Sequence, residues 1–182
     1  TATVTDPHNP VQTHTWSITA GNTGGAFAID GSGQITVATS SALNFETTPS
    51  FSLTVQATDT GTPALSGNAT ITVNLTNVNE GPTATPDSTT VAEGGTVTTL
   101  TTPSGASSVR QNDSDPDNPL TALTVTIDTA PTNASAFTLN ADGTFSYTHN
   151  GSETPPTDSF VYRICDPGPL CVTATVFITI TA

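Results

Sequence analysis

The sequence contains no methionine and no lysine, and its only arginines are Arg110 and Arg163. With so few basic groups the chain has nothing to neutralise a row of phosphates, which excludes a nucleic-acid partner, and nothing to hold an anionic membrane surface. No apolar run is long enough to insert into a bilayer and no leader segment is present, so the chain reads as a mature protein or a piece of a longer one. Aromatic side chains make up 5% of the sequence, so no stacking platform for sugars is advertised. The Gly-x-Ser-x-Gly signature of an activated serine is missing. The pairs Gly24-Gly25 and Gly94-Gly95 follow no strand-to-helix pattern, so tight turns explain them better than phosphate binding. No residue is assigned a catalytic role, and an enzyme is not expected.

What remains is strand chemistry. Threonine and valine are abundant, and their branching at Cβ suits a pleated surface better than a helix. In Phe51-Ser-Leu-Thr-Val-Gln-Ala57 every second residue is apolar, the period of a half-buried strand. Similar runs cover Thr13–Ile18, Gln34–Ala38, Ala69–Leu75, Thr96–Leu100, Leu123–Ile127, Thr144–Thr148, Ser159–Ile164 and Val172–Ile180. Many short strands separated by turn residues predict an all-β sandwich or barrel with almost no helix. At Asn77-Val-Asn-Glu-Gly-Pro82 a strand run gives way to a polar Gly-Pro stretch before a second series begins. The expected organisation is therefore two tandem sandwiches, residues 1–80 and 81–182, each with enough strands to close.

Acidic residues number 15 and the formal net charge is -13. The acids are clustered, which points to cations as the partner; the alternative reading is a solubilising acidic surface. Asn112-Asp-Ser-Asp-Pro-Asp-Asn-Pro119 puts Asp113, Asp115 and Asp117 on alternate positions of one loop, with Asp87 and Asp166 as further candidates. An EF-hand reading of this loop fails, because Asn118 replaces the turn glycine, Thr124 replaces the closing glutamate and prolines interrupt it. Either the loop binds calcium or its aspartates cap their own backbone.

Cys165 and Cys171 flank a turn-rich segment between two strand runs. They either cross-link a hairpin or lie buried as free thiols; two cysteines alone are too few for a zinc site. Asn68, Asn74, Asn112, Asn133 and Asn150 each begin an Asn-x-Ser/Thr sequon, a pattern that a chain rich in threonine and asparagine also produces by chance. His8, His14 and His149 sit in or beside turns and read as solvated.

The first 80 residues spell out an ordered set of motifs: Thr5-Asp-Pro-His-Asn-Pro10, Trp16-Ser-Ile18, Phe27-Ala-Ile-Asp30, Gly33-Gln-Ile-Thr-Val37, Leu43-Asn-Phe-Glu46, Val55-Gln-Ala-Thr-Asp59 and Asn77-Val-Asn-Glu-Gly-Pro82. This segment resembles a cadherin repeat in its bacterial form. Residues 83–182 resemble the cadherin-like and immunoglobulin-like repeats of large bacterial surface proteins. That likeness is carried by Val91-Ala-Glu-Gly-Gly95, the acidic loop, Leu139-Asn-Ala-Asp-Gly-Thr-Phe-Ser-Tyr147 and Asp158-Ser-Phe-Val-Tyr162. The resemblance implies Greek-key immunoglobulin-like sandwiches and places Trp16 between sheets, as core rather than as a sugar platform.

It also implies calcium at the junctions between repeats, held here by Asp6, Asn44, Glu46, Asp59, Asn77, Asn79 and Glu80. Several of these depart from the pattern: Asn44 and Asn77 stand where the family has aspartate, His8 where a second early acid would be, and Gly81 where the linker has asparagine. Each neutral substitution removes a charged oxygen donor, so the junction needs acids from the second domain.

A cadherin-type repeat begins with an edge strand, whereas Thr1–Asp6 already looks like its second strand, so the first sandwich is expected to lack one. Either a longer array was cut, or a neighbouring copy supplies the strand head to tail. The function expected from the resemblance is that of a non-enzymatic, calcium-stiffened extracellular segment. It would serve as a spacer in a surface adhesin or as the protomer of a filament. A carbohydrate-binding sandwich, with a glycan as partner, is the alternative.

Overall fold

The computed structural model describes residues 1–6 and 13–182. The chain divides into two compact units, Thr1–Val78 and Asn79–Ala182. Both are built from strands, and the only helical turns among the described residues are three 3₁₀ turns of three residues each.

The first unit contains β1 (His14–Ala20), β2 (Phe27–Ile29), β3 (Ile35–Val37), β4 (Ser50–Asp59) and β5 (Ser66–Asn74). An antiparallel sheet in the order β1-β4-β5 faces the β2-β3 hairpin. Alternation in β4 buries Phe51, Leu53 and Val55, with Phe27 meeting Phe51 edge-on at 5.1 Å between ring centroids. Each such side chain removed from water contributes about 1.5–3 kcal/mol. Trp16 packs against this core and is half-buried, as expected of a side chain between sheets. The register between β1 and β4 shifts after Ile18, and Gly21 follows with φ +76°. A Cβ there would lie 1.8 Å from the Ser52 carbonyl oxygen, so only glycine lets the chain turn away from β4. Residues 1–6, expected as a strand, form none: Ala2 donates to the Gly33 carbonyl at 2.8 Å, but no ladder is built. The expected acid-x-acid position at His8 lies outside the described residues.

The second unit contains β6 (Asp87–Ala92), β7 (Thr96–Val97), β8 (Thr124–Thr129), β9 (Ala134–Leu139), β10 (Phe145–His149), β11 (Thr157–Cys165) and β12 (Cys171–Thr181). One sheet runs β6-β12-β11-β8 and the other β7-β10-β9, with β6 parallel to β12 and the other pairs antiparallel. Phe160, Tyr162 and Ile164 of β11 and Val176 and Ile178 of β12 are all but sealed from solvent and fill the space between the sheets. The strand expected over Thr96–Leu100 stops at Val97, after which Leu100 drops into the core and bonds to Ala106.

Both units use the same hairpin. In the first, Asp30 and Gln34 pair around Gly33, and in the second, Asn140 and Thr144 pair around Gly143, with φ +78° and +79° at the two glycines. Asp30 caps the Ser32 and Gln34 amides and Asp142 caps that of Thr144, which lowers both carboxyl pKa values, chiefly through the Ser32 and Thr144 hydroxyls.

Candidate functional site

In the first unit the expected ligands fall at the two ends of β4. Asp59 closes the strand and faces His14 across the β1 pairing, and Asp6 lies 3.5 Å from the His14 Nε2. Asp59 Oδ1 accepts the amides of Gly61 and Leu65, so it also shapes its own turn. Asn44 and Glu46 precede Ser50 at the other end, where Ser50 pairs with Asn74 at the close of β5. Ten residues of extended strand span about 30 Å, so these pairs cannot share an ion within one domain. Asn44 Oδ1 is engaged by the Thr47 amide and hydroxyl at 2.8 and 2.7 Å, whereas Glu46 is exposed.

The second unit holds the end of the linker in a cradle of its own acids. Asn79 Nδ2 donates to Asp166 Oδ2 at 2.6 Å, and the Glu80 amide donates to Asp117 Oδ2 at 2.7 Å. Thr83 then pairs by both backbone groups with Ser114, and the Thr85 amide donates to Asp113 Oδ1 at 2.9 Å. Glu80, Thr83 and Thr85 therefore meet the acidic loop in antiparallel order. Asp166 is fixed in turn: its backbone and Oδ1 bind Leu170, and the Cys165–Cys171 disulfide closes this loop where β11 meets β12. The expected cross-linked hairpin is thus the structure that grips the linker.

The three alternate aspartates do not act as one set. Asp115 and Asp117 are half-buried, and one carboxylate oxygen each of Glu80 and Asp117 lie within 4.8 Å of one another. Asp115 Oδ1 caps the amides of Asp117 and Asn118, while its Oδ2 is sealed from solvent with no hydrogen-bond partner. The Glu80 and Asp117 carboxylates supply hard oxygen donors of the kind calcium takes.

Asp113 instead turns inward. It is 6% exposed, and the hydroxyl of Tyr162, itself fully buried, lies 3.1 and 3.0 Å from its two oxygens. Asp87, at the first inward position of β6, is 2% exposed and has no donor in bonding geometry at either oxygen. Burial and then the charge of Asp113 push the Asp87 carboxyl up to about 7, although the nearby Asn112 amide and Tyr162 hydroxyl offset part of the rise. Burial also raises Asp113 against the donors Thr85 and Tyr162, and burial followed by Asp113 holds the Tyr162 phenol well above its usual range. Tyr162 was not foreseen as a polar partner, because its place in an alternating strand reads as core.

His149 corrects an expectation. It is 2% exposed rather than solvated, because it ends β10 facing inward and its Nδ1 accepts the amides of Gly94 and Gly151. Of the sequons, Asn68, Asn74 and Asn150 are exposed, whereas Asn112 and Asn133 are half-buried. Among the described residues no helix is long and apolar enough to cross a membrane.

Residues 1–76 match the cadherin domain family and residues 79–182 the bacterial cadherin-like domain family. Human protocadherin Fat 1 is 43% identical over 67 residues, covering 36% of this chain and 1% of that protein. The chain spans only 1–2% of the length of the curated relatives it matches. Among solved structures, mouse cadherin-23 EC22-24 superposes with a TM-score of 0.61 at 19% identity, covering 93% of this chain and 53% of that one. Protocadherin gamma B7 extracellular cadherin domains 1-4 give 0.55 at 17% identity, with 92% and 41% covered. These superpositions establish tandem cadherin-type sandwiches as the fold.

Proposed function

Since the chain belongs to the cadherin family, as a cadherin domain followed by a bacterial cadherin-like domain, we propose that it is a calcium-stiffened, non-enzymatic spacer segment of an extracellular adhesin. The observation that carries this reading is the binding of linker residues Asn79 and Glu80 to two acids of the second unit, Asp166 and Asp117. Within the second unit a cation there would be held by Glu80 and Asp117, and the resemblance adds Asn79. Calcium supplies the positive charge that lets these carboxylates lie together; the protein supplies their positions. Without it the like charges repel, and the linker loses its fixed direction.

A head-to-tail filament is the second form of the same reading. It draws on the groove of about 440 Å³ in the first unit, lined by Thr1–Thr5, Trp16, Val55 and Ile71. The carbohydrate-binding alternative rests on a single half-buried aromatic, Trp16, which packs against the core and lines the same groove. Exposed Asn68, Asn74 and Asn150 are the sequons open to a glycan.

Electron microscopy, small-angle scattering and thermal melts, with calcium and after chelation, test the proposal. Monomeric rods that stiffen and gain stability with calcium are expected, together with at least roughly tenfold weaker binding in Glu80→Gln/Asp117→Asn. Regular fibres would replace the spacer with a filament protomer. If chelation altered neither shape nor melting temperature, the calcium assignment would be wrong.

A further inference from the structure

Asn150 is the only asparagine in the sequence that precedes a glycine. Gly151 leaves the backbone nitrogen between them uncrowded, since even an added Cβ would meet nothing within 4 Å. Both residues are exposed, directly after β10. His149, one position earlier, is 2% exposed, and its Nδ1 accepts the Gly151 amide at 3.3 Å. A buried imidazole nitrogen is thus aimed at the hydrogen of an exposed amide. The Asn150 side chain is held as well, because the Ser152 amide donates to its Oδ1 at 2.9 Å. Backbone bonds from His149 to the Gly95 carbonyl and from Asn150 to the Asn133 carbonyl fix the chain on which these groups sit. In the turn at Asp142-Gly143 the glycine amide donates instead to the Asn140 carbonyl, an acceptor that takes up no proton.

We propose that Asn150-Gly151 is a self-modifying site, at which His149 is the general base for closure of the Asn150 side chain onto the Gly151 nitrogen. Nδ1 takes the Gly151 amide proton while the electron pair of that nitrogen forms a bond to Asn150 Cγ. The charge that develops on Oδ1 is met by the Ser152 amide, a fixed donor placed where an oxyanion forms. The Cγ–Nδ2 bond then breaks, Nδ2 regains the proton and leaves as ammonia, and a cyclic imide remains. One water adds across the imide. Opening at Cγ gives aspartate, and opening at the backbone carbonyl gives isoaspartate, with the main chain rerouted through the side chain. Exposure of both residues admits the water and releases the ammonia. Isoaspartate would draw Gly151 away from His149, whose Nδ1 also holds Gly94 in the turn between β6 and β7, so a change in one turn loosens the other. Asn150 also opens a sequon, and a glycan on Nδ2 excludes the loss of Nδ2 as ammonia. This site is independent of the calcium reading.

The test follows the whole chain, produced in a host that adds no N-linked glycan, through incubation at neutral pH. Peptide mapping by mass spectrometry reads the mass gain of amide to acid, and chromatography separates aspartate from isoaspartate at position 150. Folded wild type should convert at Asn150 at least roughly tenfold faster than the same chain unfolded in denaturant, less than a dedicated catalytic base supplies because Nδ1 is shared with Gly94. His149→Asn offers an oxygen that accepts the Gly151 amide but takes up no proton, so it should lose this excess while keeping the fold. If His149→Asn fails to fold, the comparison of folded with unfolded wild type decides alone. Folded wild type converting no faster than the unfolded chain, or folded His149→Asn converting as fast as wild type, would overturn the proposal and leave His149 as a hydrogen-bond acceptor only.

Discussion

The hydroxyl of Tyr162 lies 3.1 and 3.0 Å from the two carboxylate oxygens of Asp113, at the centre of the second sandwich. This contact joins the packed face of β11 to the loop that receives the linker. Removing it should matter more than the loss of an average hydrogen bond, because the acceptor is a buried carboxylate. Tyr162→Phe keeps the ring and should cost about 1.5–3 kcal/mol, read as a lower denaturant midpoint at unchanged slope.

Asp158 is expected to govern part of the acid limb of stability. Burial disfavours its charge, but the amides of Asn133, Thr132 and Ser159 and the Tyr147 hydroxyl outweigh burial and lower its pKa. A depressed carboxyl stabilises the fold above its unfolded pKa of about 3.9, and the contribution is lost as pH falls through the lower folded value. Asp158→Asn should therefore be less stable at neutral pH and change less with acid than wild type. Thermal melts from neutral pH downward measure both, and parallel curves for the two proteins would contradict the assignment.

How much of this was legible in the sequence depended on whether a contact was local. The alternation in Phe51–Ala57 identified β4, and the short loop between Cys165 and Cys171 identified a hairpin, because both patterns lie within one stretch of chain. β6 carries no alternating apolar signal, since its inward positions are Asp87, Thr89 and Val91, two of them polar. The acidic loop was recognised, yet its aspartates read as one cluster. Only the pairing of Thr83 with Ser114 and of Thr85 with Asp113 separates an inward Asp113 from Asp115 and Asp117, and those partners lie some thirty residues away.

His149 is expected to act as a structural acceptor. Its Nδ1 receives the Gly94 and Gly151 amides at 3.3 Å each, so the ring hydrogen sits on Nε2. His149→Leu would fill similar space and leave two amides without their acceptor, at about 1–3 kcal/mol for each. His149→Asn offers an oxygen near the place of Nδ1 and should retain more stability than leucine. Equal midpoints for the two variants would assign His149 to packing alone.

Gly168 tests whether the disulfide-closed loop positions the linker or only stabilises the domain. A Cβ at this residue would sit 2.6 Å from Asn79 Nδ2 and 2.8 Å from its Cγ, closer than any ordinary contact, so the Asn79 amide must leave Asp166. The domain core lies elsewhere, and Gly168→Ala should change the melting temperature little in chelator. In calcium it should lose roughly tenfold in affinity, the usual consequence of disturbing the partner that orients a ligand. Gly67→Ala is the matched control, because its added methyl meets nothing within 4 Å. If Gly168→Ala lowered stability equally with and without calcium, Asn79 would be a structural residue of the second domain and no part of an ion site.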